Sequence, residues 1–334
     1  MRSKSIALSL AAAMAIGFSL HPTVAGAEVL RASHQFPGGK GDARDEMVQI
    51  IAREVAKAKV GLEIQVYPGA SLFKPNDQWN AMVKGQLDIS SFPLDYASGR
   101  VPQFGATLMP ALVRSHERAA RLDKSPFMAD IRKIIEKNGV IVLSDAWLAG
   151  AFGAKDRCIL TPADAKGLKL RAAGPTFAEM WAGAGASITA TPSNEVYNAL
   201  QTGVIDATDT STGSFVSFRL YEQIKCVTAP GDNALWFMYE PVLMSKMKFD
   251  RLTPDQKKAL IAAGKKAEEY FRGAAKTLDD KMVAAFKEAN DKVVTMTPAQ
   301  FDAWLDLAKR TSYKEFAAKV EGGQKLIDEA LAVK

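Results

Sequence analysis

Histidine and cysteine are scarce in this sequence, with three of the first and two of the second. His21, His34 and His116 are far apart, and none lies in a histidine or carboxylate cluster spaced to bind zinc. No G-x-S-x-G elbow, P-loop or G-x-G-x-x-G follows a predicted strand. The nearest stretch, FPGGKGD at 36–42, has the wrong spacing and reads as a turn. Cys158 and Cys226 form no CxxC pair, which argues against a thiol enzyme. There is no basic stripe interleaved with aromatics, so a nucleic-acid partner is not expected. Beyond Leu20 no apolar run is long enough to span a bilayer.

The N-terminus is distinctive. Arg2 and Lys4 precede an apolar run from Ile6 to Leu20, and Ala25-Gly26-Ala27 offers small residues for cleavage. The pattern predicts a secretory signal over 1–27, removed before Glu28, and so a soluble exported chain. Removal lowers the net charge from +6 to +4, a mild excess that favours anionic ligands only weakly after salt screening. In an oxidising compartment Cys158 and Cys226 could be bridged or remain two buried thiols. With 334 residues and 48% apolar content, the chain exceeds one small core, and two domains are expected.

Along the chain, EVLRASHQF, LEIQVY and LDISSF read as strands. DEMVQIIAREVAKAK reads as a helix capped by Asp42 or Asp45, and NDQWNAMVKGQ as a short helix stopped at Gly85. This strand–helix–strand rhythm implies crossovers and a mainly parallel sheet. It restarts with a strand over VIVLSDAWL (140–148), a strand ending at LKLR, helices over PTFAEMWAGAGA and SNEVYNALQTG, and a strand or turn at VIDATDTS. Residues 253–290 form an almost unbroken helical pattern, which must bridge two bodies or kink at Gly264 or Gly273. The fold class is therefore α/β, two-lobed, with a hinge and a cleft.

Within KGLKLRAAG, Leu168 and Leu170 alternate with Lys169 and Arg171 before the small Ala172-Ala173-Gly174 turn. The period is that of a half-buried strand. Its final guanidinium is either one cation of a solvated surface or is held there to meet an anion. Aromatic residues gather near predicted strand ends: Phe36, Phe92, Trp147, Phe152, Trp236, Phe237 and Tyr239. Trp147 and Phe152 flank LAGAFGA, whose small side chains suggest a pocket wall. Asp206 and Asp209, in VIDATDTS, are spaced for local turn capping or for general acid–base work.

KGLKLRAAGPTFAEMWAGAGASITATPSNEVYNALQTGVIDATD resembles the signature region of the periplasmic solute-binding proteins of TRAP (tripartite ATP-independent periplasmic) transporters, the DctP-like family. YPGASLFKPNDQWNAMVKGQLDIS and LMSKMKFDRLTPDQKKAL extend the resemblance over essentially the whole chain. It implies two α/β lobes braced by a long helix, here 28–148 plus 237–278 and 149–236 plus 279–334. It also implies that Arg171 binds the carboxylate of an organic acid, a role for which a planar guanidinium fork is suited. Further contacts fall on His34, Phe36, Phe92, Pro93, Trp147, Phe152, Asp209 and Thr210, and more weakly on Trp236 and Tyr239. The implied partners are an organic acid and the small and large membrane subunits of a permease, with the receptor itself a monomer. No cofactor or metal is implied.

Where sialic acid binders of the family carry a second arginine, Ala151 stands here, and Phe92-Pro93 replaces a polar acid. That departure favours an aromatic or apolar monocarboxylate, with a C4-dicarboxylate or a 2-oxo acid as alternatives. Two readings from other classes are an exported hydrolase or lyase using Asp206 and Asp209, and a sensor feeding a membrane kinase.

Overall fold

The computed structural model describes residues 27–39 and 41–334, so the expected signal segment lies outside the described residues. The chain opens with β1 (Glu28–Ser33), α1 (Ala43–Ala58), β2 (Leu62–Tyr67), α2 (Pro75–Val83) and β3 (Ile89–Ser91). Two 3₁₀ segments, Leu94–Ala97 and Pro102–Leu108, lead to α3 (His116–Leu122), α4 (Pro126–Lys137) and β4 (Val140–Ser144). Next come β5 (Trp147–Ala154), β6 (Lys169–Ala172), α5 (Pro175–Gly183), β7 (Ser187–Ala190), α6 (Val196–Gln201), β8 (Ala207–Ser211) and α7 (Thr212–Ser217). β9 (Cys226–Ala229), β10 (Phe237–Tyr239), β11 (Val242–Ser245) and α8 (Lys246–Arg251) precede the long α9 (Pro254–Glu288). The chain ends with β12 (Lys292–Thr295), α10 (Pro298–Ala308), a π-helical turn, α11 (Lys314–Lys319) and α12 (Gly323–Leu331).

These elements build two sheets. The first runs β2-β1-β3-β11-β4, and the second β12-β9-β5-β8-β6-β7 with β10 paired to β5. β1 lies parallel to both β2 and β3, as the early strand–helix rhythm requires. Asp42 caps α1 by accepting from the backbone of Arg44, and Met47, Val48, Ile51 and Val55 bury one helical stripe against the first sheet.

The expected single strand at 140–148 is two strands. β4 stays in the first sheet and β5 begins at Trp147 in the second, so residues 145–146 carry the chain from one lobe to the other. LAGAFGA is therefore the interior of a buried crossing strand. The return passage is Glu240-Pro241, between β10 in the second sheet and β11 in the first.

The 253–290 pattern resolves as one unbroken helix of 35 residues, about 52 Å long at 1.5 Å per residue. Thr253 and Gln256 form a capping box around Pro254 at its start. α9 packs on α1 and β4 of the first lobe and on α7 and β12 of the second. Gly264 does not kink it. A Cβ there would fall 1.9 Å from the carbonyl oxygen of Leu143, so glycine permits the helix to press on the first sheet. Among the described residues no helix is long and apolar enough to cross a membrane.

Residues 279–334 were expected in the second lobe, but they divide. α10 puts Trp304 against Trp181, with ring centroids 4.8 Å apart. α12 returns to pack on α4, and Phe316, Leu326, Ile327 and Ala330 join the first lobe's core. Cys158 and Cys226 are disulfide-bonded, with Cα atoms 5.0 Å apart, which ties the loop after β5 to the start of β9.

Candidate ligand site between the two lobes

Arg171 sits at the cleft end of β6, where the alternating leucines put it. Leu170 enters the second lobe's core, and the register sets Arg171 beside Thr208 on β8. Its guanidinium is buried yet does not rest on a single carboxylate. Nε donates to the Thr191 carbonyl at 2.8 Å, Nη1 to the Asp209 carbonyl at 2.7 Å, and Nη2 to the hydroxyl of Tyr96 at 3.1 Å. A guanidinium has five N–H groups; these three bonds leave one hydrogen on each Nη nitrogen uncommitted.

Asp209 is the adjoining acid. One oxygen accepts from the Ala173 N–H at 2.8 Å and the other from Trp181 Nε1 at 2.7 Å. Arg171 Nη1 lies 3.6 Å from the first oxygen. Burial pushes Asp209 up to about 6, against the opposing pull of Arg171, Trp181 and Ala173. Asp209 thus spends its oxygens on Ala173, Trp181 and the flank of the arginine, and is not free to face a solute. Thr210 pairs with Ala151 of β5 and falls on the same face as Thr208 and Arg171, two residues along a strand. At that register position Ala151 offers only a methyl group.

The first lobe contributes residues that sequence reasoning missed. Tyr96 reaches across to Arg171, accepts a second bond from the Ser193 N–H at 2.9 Å, and lies 3.5 Å from Gln35 Nε2. Beside it Asp95 is buried. One of its oxygens accepts from Ser98 at 3.0 Å, and the other has no hydrogen-bond partner. That second oxygen lies where a side chain at Gly174 would be, 1.4 Å from an ideal Cβ position. Burial raises Asp95 to about 7, with Ser98 and Arg171 opposing and Asp209 adding to the rise. Nothing in the local sequence marks DYA as more than a loop; its pairing partners lie far away in the chain.

Phe92 and Pro93 act behind this site. Phe92 packs on Trp79 and edge-on against Tyr96, and the Pro93 carbonyl accepts from the Tyr96 N–H. They position Tyr96 within the first lobe's core. Other expected contacts are also drawn elsewhere. Phe152 is wedged between Trp181 and Trp304 in the second lobe, because its position on β5 faces that core. Trp147 donates to Asp123 at 2.9 Å and packs on Tyr239, lining a groove between α3 and α9. Tyr239 donates to Asp145. Trp236 covers Gly150, where a Cβ would meet its ring at 2.1 Å. Asp206 is half-buried and paired with Lys169 at 3.6 Å, separate from the Asp209 cluster, so the two acids share no reaction centre.

His34 and Phe36 belong to a second polar cluster. His34 Nε2 is 3.1 Å from Asp45, and its ring stacks on Phe36. Phe36 in turn carries the Arg44 guanidinium 3.8 Å above its ring. Arg44 is buried and binds Asp42 through both carboxylate oxygens, at 3.0 and 2.8 Å. It also reaches Ser211 at 3.0 Å, Ser214 at 2.9 Å and Glu240 at 3.2 Å. Burial alone would raise Asp42, but Arg44 holds it below the usual range. Glu240 is raised by burial despite Arg44. A cation in the first turn of a helix opposes the macrodipole. That misplaced charge in DARDEM was the available sign that Arg44 serves something other than α1. Among the described residues no group of three His, Cys, Asp or Glu could hold a metal ion.

Two α/β lobes, two strand crossings, a spanning helix and a buried strand-end arginine at their junction match a known architecture. Residues 43–319 fit the family model DctP, described as bacterial extracellular solute-binding protein, family 7. The chain belongs to this family. It is a TRAP periplasmic solute-binding protein, in a family of receptors rather than enzymes. A solute-binding protein of Albidiferax ferrireducens is 40% identical over 320 residues, covering 95% of this chain and 94% of the relative. The crystal structure of a TRAP periplasmic solute binding protein from Rhodoferax ferrireducens with bound malonate superposes with a TM-score of 0.88. It is 40% identical, over 91% of this chain and 98% of that one. The C4-dicarboxylate-binding periplasmic protein DctP of Rhodobacter capsulatus is 26% identical over 92% of both chains. The fold of the Bordetella pertussis receptor DctP7, which binds pyroglutamic acid, agrees at a TM-score of 0.82 with 22% identity, over 91% of this chain and 100% of that one.

Proposed function

We propose that this chain captures a compact polar carboxylic acid between its lobes and delivers it to the small and large membrane subunits of a TRAP permease. Cleavage before Glu28 and action as a monomer in the periplasm belong to the same reading. So does a division into two lobes that exchange the chain at 145–146 and at Glu240-Pro241. The observation that carries it is Arg171: a buried guanidinium, immobilised through three N–H groups, with one hydrogen left on each Nη nitrogen. An immobilised fork loses little entropy on meeting a carboxylate, and in a closed cleft the pair is poorly screened by water. Ligand binding then stabilises the closed arrangement in which Tyr96 meets Arg171.

The surroundings favour a small polar acid over the aromatic monocarboxylate suggested by the sequence. Phe92, Phe152 and Trp147 are spent on cores and on the α3–α9 groove, whereas Tyr96 bonds Arg171, Asp95 stands beside it, and Gln35 Nε2 lies 3.5 Å from the Tyr96 hydroxyl. The similar receptor with bound malonate points the same way. Succinate-sized diacids and pyroglutamate are the leading candidates, with short 2-oxo acids behind them. A thermal-shift panel of malonate, succinate, pyroglutamate, pyruvate and benzoate tests this. Tight ligands raise the melting point with the logarithm of saturation. Stabilisation by benzoate alone would overturn the polar-acid assignment, and stabilisation by none would overturn the carboxylate reading itself.

A further inference from the structure

The cleft contains more buried acid than its one strand-end arginine can balance. Asp209 faces Arg171 at 3.6 Å and accepts two N–H groups. Asp95 comes from the opposite lobe, is equally buried, and has an oxygen without a partner lying against the backbone of Gly174. A carboxylate solute on Arg171 would bring a third negative charge to one guanidinium. Burying unpaired charge is costly enough that a titratable group gives up its charge instead.

We propose that Asp95 enters the closed, loaded cleft as the neutral acid, so that this receptor takes up one proton with each carboxylate it captures. The inference rests on the assignment of Arg171 as the carboxylate anchor. Between the two acids, Asp95 takes the proton because each oxygen of Asp209 accepts an N–H bond, from Ala173 and Trp181, with Arg171 beside it, and such bonds favour the charged form, whereas Asp95 accepts only from the hydroxyl of Ser98. The charged groups bearing on Asp95 are Arg171 from β6 and Asp209 from β8. α5 presents only the Gly174 backbone to it, and its neighbour Tyr96 is already committed to Arg171 and Ser193. As a neutral acid, the unpartnered oxygen of Asp95 becomes able to donate a hydrogen bond, a role no ionised carboxylate can fill.

The sign of the linkage follows. Under this proposal, parting the lobes must return Asp95 toward the ordinary carboxylate value of 3.8, from about 7 in the closed cleft. Binding therefore takes up a proton between those limits, and affinity falls as pH rises, by up to about tenfold per pH unit, levelling off above them.

Calorimetry at pH 6.5 with pyroglutamate and with malonate, each in two buffers of different ionisation enthalpy, measures the uptake directly. Wild type should take up about three quarters of a proton per ligand at that pH, and Asp95→Asn should lose most of that uptake and of the pH dependence. The melting point of D95N at pH 5 verifies that it folds. Binding by wild type without proton uptake, or the same uptake in D95N, overturns the proposal and leaves the carboxylate reading standing. No binding of either acid at any pH from 5 to 8 sinks both.

Discussion

The hydroxyl of Tyr96 lies 3.1 Å from Nη2 of Arg171, and the two residues come from opposite lobes. The bond makes closure and anchoring one event: the arginine is completed by a tyrosine that is present only when the lobes meet. Tyr96 also takes the Ser193 N–H, so one phenol oxygen closes two bonds across the cleft.

Removing the anchor should be severe. Arg171→Ala is expected to weaken binding of the physiological acid by about 2–5 kcal/mol, the usual cost of truncating one partner of a buried charge pair. Calorimetry reads this directly, and an affinity within twofold of wild type would discard Arg171 as the anchor. Arg171→Lys should not rescue, since a single ammonium cannot replace bonds made to Thr191, Asp209 and Tyr96 at once.

Gly174→Ala should separate closure from stability. The added methyl would collide with Asp95, which belongs to the other lobe, so the collision exists only when the cleft is shut. Affinity should fall while the melting point of the unliganded protein changes little. Small-angle scattering with saturating ligand should show a larger radius than wild type. If scattering shows full compaction in G174A, the Asp95–Gly174 contact does not limit closure.

Arg44→Ala should destabilise the fold itself. It strands Asp42 and Glu240 as buried acids, for which a loss of about 3–5 kcal/mol is typical. Adding Glu240→Gln should recover part of that loss, because one of the two uncompensated charges is removed. Urea unfolding of the single and double variants decides this; strictly additive losses would mean that the two residues are not coupled.

Replacing both Cys158 and Cys226 by serine opens a loop spanning 68 residues of sequence separation. The chain-entropy account assigns such a closure about 4 kcal/mol. Equal denaturation midpoints for the oxidised wild type and the double variant would show that the bridge adds nothing to folding.

The backbone plan was largely written in local patterns. Met47, Ile51 and Val55 mark α1, Thr253-Pro254 opens α9, and alternating Leu168 and Leu170 carry Arg171 to the cleft. The site was legible only where one residue advertised itself. Arg171 did so by ending a strand with a charge, but Tyr96 and Asp95 look like ordinary loop residues until a chain fold brings them within reach of residues 75 or more positions away. The aromatic residues misled for a related reason. A phenylalanine at a strand end can face either side of the sheet, and only the sheet's packing showed that Phe152 points into the second core and Phe92 into the first. The strand break at 145–146 was hidden too, since both strands are equally apolar and nothing but the partner sheets distinguishes them.

Arg44 has a mechanical consequence. A group bonded simultaneously to Asp42 of one body and to Ser211 and Ser214 of the other can keep all those bonds during a rotation only if the axis passes close by. We therefore place the fulcrum of the receptor at the Arg44 cluster, beside the Glu240-Pro241 return passage. Arg171 and Ser193, which meet the first lobe only through the Tyr96 hydroxyl, sit with Tyr96 on the moving jaws. A small angular step about that fulcrum is enough to part them, so the protein can release its cargo without disturbing its most expensive buried charges.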